Sequence, residues 1–147
     1  MKYEFTGETQ VCFGVTLRRI RRLSDGFVGG WIEQESNLSH EGSAWVYDNA
    51  QIYDNATVFG NARISGDARI CGNAKVFSNS WVSGNAKVFN NSWVSGNARV
   101  SGNAKVFNNS WVYGDAQISG DARVSGNAKV FGDARVSGNA RVYGDSQ

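Results

Sequence analysis

The sequence predicts an all-β chain that winds into a parallel, three-sided solenoid. Three observations carry this. An aliphatic residue recurs at every sixth position from Val46 to Val142 without a gap. Ala or Ser lies two residues before each, and Asn or Asp lies three after, usually behind Gly. A longer period overlies the short one: Ser65, Ser83, Ser101, Ser119 and Ser137 follow the aliphatic position at intervals of eighteen.

Composition agrees. The 147 residues contain 18 Gly and no Pro, which suits a chain of short strands and frequent corners. The length allows one domain, and only repetition can give so thin a chain a continuous core. Net charge is +2, which by itself implies no partner. Cys12 and Cys71 lie far apart and form no metal or redox motif, so they read as free thiols in a reducing compartment. Met1–Phe5 lacks a secretory pattern, and no apolar run reaches membrane-spanning length. A cytoplasmic location is expected, without a membrane.

Residues 1–43 precede the repeats and read as an N-terminal β cap. Tyr3–Phe5 and Val11–Leu23 read as strands of a hairpin, with Thr6-Gly7-Glu8 as its turn. The stretch Gly29–Glu33, then Asn37–Ser39, leads into the coil. A solenoid end exposes unpaired backbone and core side chains, so terminal units must differ from the rest.

Residues 44–147 carry seventeen units of the form Ala-x-Val-y-Gly-Asn. In Ala-x-Val the alternation puts Ala and Val on one face and x on the other. Gly-Asn turns the chain, since both residues accept positive φ at low cost. A chain that turns every six residues and never reverses must wind, stacking each strand on its copy about 4.8 Å away. The octapeptide Lys87–Val94 recurs unchanged at Lys105–Val112, eighteen residues on, with a near copy at Lys75–Val82. Three units per coil gives a triangular prism of nearly six coils.

This pattern resembles the hexapeptide repeat of left-handed parallel β-helices, the fold of many bacterial acyltransferases. The resemblance supplies the left hand. Leu17–Ile20, Gly29–Glu33, Asn37–Ser39 and Gly42–Tyr47 resemble the opening of a bacterial family of uncharacterised acetyltransferase-like β-helix proteins. Short members with Gly-Asn-Ala-x-Val repeats resemble proteins often encoded by phages.

The acyltransferase resemblance implies a histidine base and a loop around coenzyme A. His40 is the sole histidine, and six-residue spacing puts it at the aliphatic position before Val46. No insertion interrupts the units. No Ser/His/Asp set or paired-carboxylate site is evident, and the corner Asn and Asp residues suffice as turn formers. No catalytic residue, metal or cofactor is expected, and the protein reads as a non-enzyme.

What remains is the outward side chains, which align every eighteen residues. The first face carries Trp45, Arg63, Trp81, Arg99, Gln117 and Arg135. The second carries Gln51, Arg69, Lys87, Lys105, Arg123 and Arg141, and the third Thr57, Lys75, Trp93, Trp111 and Lys129. Phe77 and Tyr113 flank the third. Trp93, Trp111 and these neighbours form an apolar patch of the kind that marks an interface. Lys87, Lys105 and Arg123 are like charges one coil apart, which an anionic partner relieves. Arg18, Arg19, Arg21 and Arg22 form a basic patch in the cap.

These residues predict a rigid, non-enzymatic binding scaffold, homo-oligomeric through the aromatic face or a helix end such as Gly144–Gln147. The phage resemblance implies an accessory protein acting on a host component, with counter-defence as one such role. One alternative is a sponge holding an anionic nucleotide between protomers, because flat aromatics take rings and cations take phosphate. The other is a degenerate acyltransferase. Duplex DNA is disfavoured by the modest, interrupted charge.

Overall fold

The computed structural model describes residues 1–144. β1 (Tyr3–Cys12) and β2 (Val15–Arg22) form an antiparallel hairpin, and β2 pairs with β3 (Val28–Ile32). A 3-10 turn, Glu35–Asn37, follows. Seventeen two-residue strands then run from Trp45–Val46 to Arg141–Val142, one every six residues.

Each short strand pairs in parallel with the one eighteen residues on, as Trp81↔Arg99 and Val82↔Val100 do. The result is a β-solenoid of about six coils with three sheets. Its strand layout is consistent with the left-handed winding that the resemblance implies. The Ala and Val/Ile positions point inward and are buried from Ala44 to Val130. Burying each Val or Ile contributes about 1.5–3 kcal/mol, and every coil repeats the gain. Ser80, Ser92 and Ser110 replace Ala in this core, and each hydroxyl donates at 2.8 Å to the carbonyl of Phe77, Phe89 or Phe107. A buried hydroxyl is tolerated because it is satisfied.

The corners explain the glycines. Gly84 sits at φ +65°, and a Cβ there would lie 3.0 Å from the Gly102 backbone nitrogen. The coil spacing, as much as the turn conformation, excludes a side chain.

The cap joins the coil through backbone pairing. β3 lies parallel to the strand Gln51–Ile52, so β1, β2 and β3 extend the second face into a nine-stranded sheet. Leu38 bridges to Val58 on the third face. The ladders therefore reach into residues 1–43, further than the repeat pattern does. Tyr3, Leu17 and Ile20 are fully buried at this end of the core. The Tyr3 hydroxyl donates to the Leu38 carbonyl at 2.7 Å, and burial, then the Glu35 charge, raises its pKa.

Two expectations need correction. The hairpin does not turn at Thr6-Gly7-Glu8; those residues form an irregularity within β1, where Gly7 has φ +101°. It turns at Phe13-Gly14, both with positive φ, between the paired Cys12 and Val15. That is the twist a two-residue hairpin requires. His40 does not occupy an aliphatic position. Ile32↔Ile52 and Leu38↔Val58 are twenty apart, whereas Val46↔Ile64 are eighteen apart. The first coil holds two extra residues between Leu38 and Val46. Leu38 fills the inward place, and His40 swings out to stack on Tyr3, ring centroids 4.0 Å apart.

Candidate binding faces

The solenoid fixes the outward side chains at strand spacing, so the order of residues in a ladder decides what each can do. The three faces differ in that order.

On the first face Trp81 lies between two arginines. Arg63 and Arg99 place their guanidinium carbons 5.2 and 5.0 Å from its ring centroids. Both ring faces are occupied, although Trp81 is 41% exposed. Trp45, at the head of this ladder, is only 1% exposed. Arg22 covers it, Tyr3 meets its edge, and Gly29 packs so close that a Cβ would sit 2.8 Å from the indole. The expectation that Trp45 is an outward binding residue is corrected: the cap folds over it.

The second face bears Arg69, Lys87, Lys105 and Arg123 in register. None of them is ion-paired among the described residues. Phe89 and Phe107 stack beside them, centroids 5.0 Å apart. Burial pushes the nearby Cys71 thiol up, making it a poor nucleophile at neutral pH.

The third face is organised differently. Trp93 and Trp111 stack on each other, centroids 4.9 Å apart and 1° from parallel. Lys75 Nζ lies 5.1 Å from the Trp93 ring, and Lys129 Nζ 5.2 Å from the Trp111 ring. The vertical order is Lys-Trp-Trp-Lys. With Phe77, Ser95 and Tyr113 the tryptophans line a concavity of about 340 Å³.

The cap arginines form no free patch. Arg18 donates to the Glu33 carbonyl and lies over Phe5. Arg19 donates to the Gly29 carbonyl and covers Trp31. Arg21 pairs with Glu4. Arg22 pairs with Asp25, whose pKa falls to about 2 through these bonds and the Phe27 N–H.

His40 is equally engaged. Its Nδ1 accepts the Lys2 N–H at 3.0 Å, which puts the proton on Nε2, 3.3 Å from Glu35. Both ring nitrogens are engaged within the cap. Among the described residues no three His, Cys, Asp or Glu side chains converge as a metal site would need, and no helix is long and apolar enough to cross a membrane. The chain end expected to pair with another copy, Asp145–Gln147, lies outside the described residues.

Geometry and repeat together define the class: a β-solenoid repeat protein whose variable positions are its outward ladders. Residues 50–66, 68–84, 98–114, 116–132 and 134–147 match the YdcK beta solenoid repeat, and the chain belongs to that family. Residues 85–97, which hold Trp93 and Ser95, fall between matched blocks. No curated protein matches the sequence.

Proposed function

We propose that the protein is a non-enzymatic binding scaffold whose contact face is the third, carrying Phe77, Trp93, Trp111 and Tyr113. The observation that carries this is the Lys75-Trp93-Trp111-Lys129 stack, an aromatic centre with a cation at each end that lines a concavity with Phe77, Ser95 and Tyr113. Apolar surface of this kind is unfavourable in water, and a partner that covers it gains from its dehydration. The lysines select a partner with acidic groups around an apolar core. Engagement of both His40 nitrogens supports the non-enzymatic reading. A phage or prophage accessory role against a host component belongs to the same proposal. It is supported by the resemblance of the Gly-Asn-Ala-x-Val units to phage-encoded proteins.

Affinity capture from bacterial lysate tests the face. Wild type and Trp81→Ser should retain the same partner, and a Trp93→Ser/Trp111→Ser variant with unchanged circular dichroism should lose it about tenfold. Equal capture by all three would remove the third face from the proposal.

A second reading is favoured by the cation ladder of the second face. A nucleotide could stack on Phe89 and Phe107 and place its phosphates on Lys87 and Lys105. A thermal-shift screen with linear and cyclic nucleotides decides it. Stabilisation that disappears in Lys87→Glu/Lys105→Glu is expected, and no shift with any nucleotide sinks the reading.

A further inference from the structure

At the edge of the third face runs a column of corner side chains: Phe59, Phe77, Ser95, Tyr113 and Phe131. The column stacks wherever rings are adjacent. Phe59 and Phe77 are parallel with centroids 4.9 Å apart, and Tyr113 and Phe131 lie 5.3 Å apart. Ser95 alone supplies no ring. Phe77 and Tyr113 are therefore two coils apart, about 9.6 Å by the strand spacing. That gap holds one ring at the column's own spacing and not two. Trp93 and Trp111 form its side wall, and the resulting concavity is about 340 Å³.

We propose that this gap is a binding slot for the ring of a small planar aromatic anion, a carboxylate being the simplest. Resting on the reading of the third face as the contact face, it names the chemistry that face takes. Planarity follows from the rings that bound the gap, Phe77 and Tyr113, each stacked on its own outer neighbour. Charge follows from Lys75 and Lys129, the cations nearest the tryptophan wall, neither in an ion pair among the described residues. The neighbouring acid, Asp115, accepts a hydrogen bond from Asn97 in the corner beyond. A second copy is a poorer occupant. Laid face to face about a two-fold axis and centred on the tryptophans, in either direction, it sets lysine against lysine. A free anion meets no such repulsion.

The test is a titration of the indole N–H signals by nuclear magnetic resonance. The probes are 2-naphthoate, uncharged 2-naphthalenemethanol and non-planar cyclohexanecarboxylate. A saturable shift of the Trp93 and Trp111 signals is expected with 2-naphthoate, about tenfold weaker with the other two. Ser95→Phe fills the slot with the side chain already accepted at Phe77 and Phe131, and should weaken binding about tenfold or more. Ser83→Phe, on another corner column, should leave it unchanged. No saturable shift, equal binding by Ser95→Phe, or equal binding of the uncharged probe would each overturn the slot. If lysate capture through Trp93 and Trp111 persists when naphthoate fails, the slot falls and the scaffold reading stands. Naphthoate binding without lysate capture supports the slot and removes the macromolecular partner.

Discussion

Three copies of one octapeptide meet different fates on this prism. Lys75–Val82, Lys87–Val94 and Lys105–Val112 differ only at Ser78, which is Asn in the other two. The first two are twelve residues apart, so the second is carried onto the next face. The last two are eighteen apart, so they stack. Trp81 therefore stands alone between Arg63 and Arg99, while Trp93 and Trp111 meet each other. Sequence identity did not decide what each indole stacks on; the step between copies did. A twelve-residue step isolates an aromatic among cations, and an eighteen-residue step builds an aromatic surface.

The strongest way to break the comparison is to break the coil beneath both faces. Gly84→Ala meets the Gly102 backbone and keeps φ +65°, whereas Gly138 shares the conformation with no atom within 4 Å of its Cβ position. Thermal or urea unfolding should show a loss of about 3 kcal/mol for Gly84→Ala and about 1 kcal/mol for Gly138→Ala. Similar losses would mean that backbone conformation, not coil spacing, demands glycine.

A smaller effect separates the two tryptophan settings. A double-mutant cycle on Trp93 and Trp111 should give about 1 kcal/mol of coupling that survives molar salt. The cycle on Arg63 and Trp81 should give about 0.5–1 kcal/mol that shrinks with salt. Identical salt responses would erase the distinction drawn between the faces.

The smallest effect lies in the cap over Trp45. Asp25 has its folded pKa depressed to about 2 by Arg22 and the Phe27 N–H, against a usual value of 3.8. A depressed carboxylate contributes stability above its unfolded pKa and loses it as pH falls toward the folded one. Between about pH 4 and pH 2, wild type should lose slightly more stability than Asp25→Asn. Parallel acid curves for the two would show that this pair does not help hold Arg22 over the indole.

The repeat made the coil legible. Every ladder partner from Val46 onward follows from counting eighteen, because Ala-x-Val and Gly-Asn force one strand and one corner per unit. The aromatic column with its single serine could be read the same way. The cap resisted because its contacts are not periodic. Val11, Phe13, Val15 and Leu17 alternate straight through the turn, and only Gly14 hints at the break. Trp45 carries the same sequence signature as Trp81; its burial depends on Gly29, Arg22 and Tyr3 arriving from elsewhere in the chain. His40 fell on the six-residue spacing by coincidence, since Leu38 had taken the inward place two residues early.

That early arrival has a consequence for how the chain finds its winding. Coils this alike could slide past one another by a whole period and still lay valine on valine. Asn37 forbids it. Its Oδ1 accepts the Glu33 and Gln34 N–H groups, and its Nδ2 donates to the Asp54 and Ala56 carbonyls. Here the partners lie twenty residues apart, Ile32 with Ile52 and Leu38 with Val58, whereas from Val46 the paired strands of the described residues lie eighteen apart. The irregular corner is thus a zero mark, from which every later turn of the thread is counted.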